Sequence, residues 1–203
     1  TQSLSKRFSG EVSYTSGQDK LCYLGTSVLQ NKAGIREQQL LDAFELEMVI
    51  SRSKEAWPSG ILDFGHYLSL HHHLFQDVYD WAGTLRTVRI GKDGSWFCYP
   101  EHIEAEMEKL FVWLVEQNCF GGHSGRDFAG KSARFLSELN AIHPFREGNG
   151  RTQMSFLTLL TDNAGLPFNT EALDPQTAMK AMIDSFKGQL QPLEDLILKL
   201  VRG

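Results

Sequence analysis

Apolar residues in this chain recur at spacings of three and four far more often than in strict alternation, and that periodicity limits the fold more than any other feature. The clearest run is Ile103, Met107, Leu110, Phe111, Leu114 and Val115, one face of an amphipathic helix. Phe128, Phe135, Leu136, Leu139 and Ile142 make a second, closed by Pro144. Leu41, Phe44 and Met48 belong to an earlier stripe that Trp57-Pro58-Ser59-Gly60 ends. Another covers residues 61–79, with Gly83 as its expected C-terminal cap. Residues 152–162 are apolar on most sides, the mark of a buried central helix, and Asp174-Pro175 and Pro192 open two more. Only between Leu85 and Tyr99 does the period fall to two. There Val88 and Ile90, then Trp96 and Cys98, flank Gly91-Lys92-Asp93-Gly94, which is hairpin turn chemistry. The expected fold class is all-α, a helical bundle with one small β-hairpin.

Composition narrows the functions. A chain of 203 residues is long enough for one sizeable core. Lys and Arg total 20 against 25 Asp and Glu, a net charge of −5, so a broad nucleic-acid face is not expected. No run of 18 apolar residues is present, so no membrane-spanning helix is expected. Cys22, Cys98 and Cys119, odd in number and sparse, fit a reducing compartment such as the cytoplasm. Residues 1–20 are rich in Ser, Gly and Thr and read as a mobile arm, placed at 1–22, before a domain at 23–203. The chain shows no charged-then-apolar leader, and its start at Thr1 reads as a piece of something longer.

Two stretches could hold phosphate. Gly125-Arg126-Asp127-Phe128-Ala129-Gly130-Lys131-Ser132 matches the P-loop pattern, but that loop needs a strand before it and a helix after it. Here the helical period already runs from Phe128, so Gly130 and Lys131 fall inside a helix, where backbone N–H groups are spent along the axis. Lys131 then reads as a surface lysine.

The second stretch is His143-Pro144-Phe145-Arg146-Glu147-Gly148-Asn149-Gly150-Arg151. It offers an imidazole at a helix end, a carboxylate suited to a hard cation, and a Gly-Asn-Gly turn whose successive N–H groups can form an anion nest. Arg151 opens the buried helix, whose N-terminus adds partial positive charge. Phosphoryl or nucleotidyl chemistry is one reading. A helix-capping His and a glycine turn, with Glu147 and Arg151 paired at the surface, is the other. His71-His72-His73 does not read as a metal site, because consecutive helical side chains diverge by about 100°.

The nonapeptide resembles the HxFx(D/E)GNGRxxR motif of the Fic family. The resemblance extends to His66–Arg86, including Leu74-Phe75-Gln76-Asp77-Val78-Tyr79-Asp80-Trp81-Ala82-Gly83, and to Ser137–Ile142 before the motif. It implies a Fic-like helical bundle with a hairpin flap, and protein adenylylation: transfer of AMP from ATP, with Mg²⁺, to a hydroxyl side chain of a target protein. Carried over, His143 would be the general base and Glu147 the Mg²⁺ ligand. Gly148, Asn149 and Gly150 would cradle the α- and β-phosphates, and Arg151 would hold the departing pyrophosphate. The flap residues Val88, Arg89, Ile90, Trp96, Phe97 and Cys98 would offer an open edge to which a target segment adds as a strand.

One position departs from the motif: its last Arg is Met154 here, without charge or donor. The family's inhibitory pattern is also missing, since the nearest string, Ser51 to Glu55, is followed by Ala56. A separate inhibitory partner, an antitoxin chain, is therefore the expected restraint. Met154 leaves open a nucleotide-binding or docking module with weak turnover. A death-on-curing type phosphotransferase would carry Lys where Gly150 stands. The resemblance leaves a toxin acting at home and an effector exported into a host cell both open.

Overall fold

In the computed structural model, residues 12–14, 19–92 and 95–201 are described. Among them run β1 (Val12–Tyr14), α1 (Gln38–Arg52), α2 (Phe64–Phe75), β2 (Ile90–Lys92), β3 (Ser95–Trp96), α3 (Ile103–Glu116), α4 (Gly125–Ile142), α5 (Asn149–Ala164), α6 (Pro175–Phe186) and α7 (Gln191–Leu200). The all-α class with a small hairpin is what the periodicity anticipated. Side-chain caps start three of the helices. Asp63 accepts from His66 N–H, Ser124 from Asp127 N–H and Asp174 from Thr177 N–H, each satisfying a first-turn donor.

α4 is the hub, packed against α3, α5, α6 and α7, while α2 lies between α1 and α5. The main core is aromatic: Tyr67, Phe111, Phe135 and Phe156 meet largely edge to face, the favoured arrangement for ring quadrupoles. A second cluster gathers Cys22, Val28, Leu41, Val49, Leu74, Phe75, Val78 and Tyr79.

Several expectations change. α2 stops at Phe75, short of residue 79. Gly83, at φ +82°, caps nothing and instead donates its N–H to His71 Nδ1 at 2.8 Å. The buried stripe of α1 is Leu41, Glu45 and Val49. α5 begins at Asn149, two residues before Arg151. Gly130 and Lys131 do lie inside α4, and Lys131 Nζ is held by Gln117 and His123. The three histidines diverge as expected. His71 bonds the Glu147 carbonyl, His72 that of Ala82 and His73 that of Arg52.

Residues 1–11 and 15–18 of the expected arm lie outside the described residues. Val12–Tyr14 pair antiparallel with β2, and Asp19 and Cys22 belong to the packed domain, so its contacts begin before the expected boundary at residue 23.

Candidate active site

The nonapeptide bridges α4 and α5 at the seam of the two clusters. Phe145 sits in the main core, while Phe75 of the second cluster lies beneath the bend. His71 is sandwiched between them, 3.7 Å from the Phe145 ring centroid and 4.7 Å from that of Phe75. Its Nδ1 accepts from Gly83, so Nε2 carries the proton and donates to the Glu147 carbonyl at 3.0 Å. Both roles require a neutral ring, and burial pushes the His71 pKa down to about 3.

His143 ends α4 in a left-handed conformation, φ 51°, half-buried, its ring stacked on flap Phe97 at 3.8 Å. Gly148 caps α5 at φ +82°. A Cβ there would meet the Phe75 ring at 2.3 Å, so this position admits glycine alone. Gly150 is exposed, and a Cβ on it would meet nothing within 4 Å. The Asn149 side chain is spent on the bend itself. It accepts from Phe145 N–H at 2.9 Å and donates to Phe145 O at 2.8 Å. Asn149 can therefore offer a ligand its backbone N–H, and the amide braces the loop.

α5's own hydrogen bonding starts with Thr152 N–H to Gly148 O, so the N–H groups of Asn149, Gly150 and Arg151 have no partner within the helix. Gly148 N–H is taken by Glu147 Oε1 at 2.8 Å. Arg151 lies over the Phe75 face, 4.7 Å from its centroid, and Nη2 reaches Glu147 Oε1 at 3.3 Å and Glu45 Oε1 at 2.5 Å. Burial alone would lower the Arg151 pKa, but the two carboxylates hold it up, so it stays charged.

Four buried groups around the bend escaped the reading of the motif. Arg86 donates to the carbonyls of His143, Val88, Cys98 and Ile142, tying the flap to the end of α4. It satisfies that helix's terminal acceptors while its charge meets the negative end of the dipole. Burial lowers its pKa to about 10. Asp19 pairs with Arg146 at 2.7 Å, both nearly sealed from solvent. Glu45 and Tyr79 stand behind Arg151, and the Tyr79 hydroxyl donates to Glu45. A carboxylate in register with Leu41 and Val49 was the available signal for Glu45; nothing local marked Asp19.

The flap differs from its expected outline. The ladder joins Ile90–Lys92 to Ser95–Trp96, leaving Val88, Arg89, Phe97 and Cys98 outside the strands. The turn residues Asp93 and Gly94 lie outside the described residues. Ile90 is buried, Trp96 is exposed, and Arg89 stacks on Trp96 and Tyr99. β2 is the middle strand, so the edge expected to be open carries the chain's own Val12–Tyr14.

Residues 61–161 match the Fic/DOC family, and over 94% of its length the chain is 50% identical to the whole of a probable protein adenylyltransferase of Sinorhizobium fredii. The chain belongs to the Fic/DOC family. The adenylyltransferase VbhT of Bartonella schoenbuchensis is 35% identical over 87% of this Fic chain, which spans 37% of that relative's length. Among solved Fic-fold structures, Bartonella tribocorum BepC with bound AMPPNP superposes with a TM-score of 0.79 at 25% identity, covering 89% of this chain and 95% of that one. A Bartonella quintana Fic domain with bound ADP gives the same TM-score and identity, covering 89% and 93%. No helix among the described residues is long and apolar enough to cross a membrane.

Proposed function

We propose that the chain transfers AMP from ATP to a hydroxyl side chain of a target protein, with His143 as general base. The activity class follows from kinship with named protein adenylyltransferases; the residue roles are those the motif resemblance implies, and the geometry supports them. One observation carries them. The bend joins His143, half-buried at the end of α4, to the N-terminus of α5, whose first-turn N–H groups have no helical partner, with open space above Gly150. Those donors suit phosphate oxygens, and Arg151 supplies a planar charge for the departing pyrophosphate.

His143 accepts the target hydroxyl's proton as its oxygen bonds the α-phosphorus. The bond from that phosphorus to the bridging oxygen breaks, and pyrophosphate leaves. Arg86 fixes the His143 carbonyl while Phe97 covers one face of the ring, which limits its rotation. Glu147 suits Mg²⁺, which binds through one or two carboxylates and substrate phosphates, and bound there it would neutralise phosphate charge. Arg146, fixed by Asp19, holds the loop from behind.

Gly150 favours this reading over phosphotransfer, because a side chain there would fill the space left for phosphates. The target segment adds along β2 in place of Val12–Tyr14. A separate inhibitory chain supplies the restraint, and with Met154 half-buried against the core, no motif Arg stands ready for an inhibitory Glu.

Incubation with Mg²⁺, a target lysate and ATP labelled at the α or γ position tests the reaction. Label is expected on protein from the α position alone. His143→Ala should lower that transfer by about 10²-fold or more while nucleotide binding persists. Transfer from the γ position, or an unimpaired His143→Ala variant, would overturn the assignment.

A further inference from the structure

Arg151 is held from outside the motif. Glu45 lies on α1, 106 positions earlier, and is buried to 7% exposure. One carboxylate oxygen accepts from Arg151 Nη2 and the other from the Tyr79 hydroxyl. Tyr79 is itself buried and stacked on Trp81 at 4.4 Å, so the Glu45 carboxylate is fixed at both oxygens.

Glu147 competes for the same guanidinium. Its Oε1 lies 3.3 Å from Arg151 Nη2 and also accepts Gly148 N–H. A carboxylate oxygen engaged by a guanidinium is a poor ligand for a hard cation, since both draw on the same lone pairs. If Glu147 were the sole anion beside the half-buried Arg151, turning it toward a cation would leave that guanidinium without its ion pair. Glu45 removes the difficulty by remaining as Arg151's partner.

We propose that Glu45, braced by Tyr79, is a positioning residue that keeps Arg151 seated at the mouth of the bend and so releases Glu147 to a divalent cation. This rests on the adenylyltransferase reading of the site. The guanidinium lies over the Phe75 ring, and its described hydrogen bonds all run from Nη2, so Nη1 and Nε are not engaged by Glu45 or Glu147.

The test uses Mn²⁺ as a paramagnetic stand-in, titrated by EPR into the full chain with AMPPNP. Glu45→Gln preserves shape and acceptor but removes the charge. It should raise the Mn²⁺ dissociation constant about tenfold, the scale typical of residues behind a metal ligand. Tyr79→Phe should move it the same way by less, and carries the test if Glu45→Gln fails to fold. Glu147→Gln should weaken Mn²⁺ binding strongly in the wild-type background and little in Glu45→Gln, a non-additivity that a purely structural role does not produce. Folded Glu45→Gln and Tyr79→Phe variants that bind Mn²⁺ within twofold of wild type would overturn the inference alone. A wild-type chain that binds neither the nucleotide nor Mn²⁺ would overturn the reading beneath it as well.

Discussion

Gly148 and Gly150 stand two positions apart but in different surroundings. Gly148 combines a positive φ with a backbone lying on Phe75, so Gly148→Ala meets both left-handed strain and overpacking. The two together should cost about 2–4 kcal/mol, read as a lowered thermal midpoint. Gly150 has open space and helical geometry, so Gly150→Ala should leave the fold intact and stabilise it by about 0.5–1 kcal/mol. Its methyl group would stand where phosphate is proposed to lie, so the same variant should weaken ATP-analogue binding in calorimetry. If Gly150→Ala binds nucleotide normally, the phosphates do not lie over that residue.

The flap is two short strands that could not persist alone, and its attachments explain its place. Ile90 is buried beneath it, Cys98 N–H donates to Ala141 O, and Arg86 bonds carbonyls on both sides of the hairpin. β1 then closes the β2 edge, the usual way a sheet avoids an exposed row of donors and acceptors. A target using that edge must displace β1. Deleting residues 1–14 should therefore raise the rate of target modification at low target concentration while the thermal midpoint, carried by the helices, changes little. An unchanged or lower rate would mean that targets dock elsewhere.

The two hydrophobic clusters meet through a histidine, and the assembled protein inherits its pH sensitivity. His71 is fully buried and neutral in the fold, whereas in the unfolded chain it binds a proton near pH 6.5. A depressed folded value means that this contribution is whole above about pH 6.5 and is lost as pH falls toward about 3. By pH 5 the loss should reach about 2 kcal/mol. Chemical denaturation at pH 7 and pH 5 measures it, and His71→Gln should flatten the dependence. Equal slopes in the two proteins would assign the acid sensitivity to other groups.

Sequence periodicity determined the helices, because burying one face of a 3.6-residue repeat demands no knowledge of the neighbour. The motif singled out the bend proposed to carry the chemistry, because positive φ at Gly148 and a helix N-terminus are local properties. Two matters were decided only when distant elements met. Glu45 has no role that its own helix could announce; its partner Arg151 comes from 106 positions away. The flap edge looked open until β1 paired with it. Local sequence fixes backbone preference and burial, but the partner of a charge or a strand edge is whatever the packed chain brings alongside.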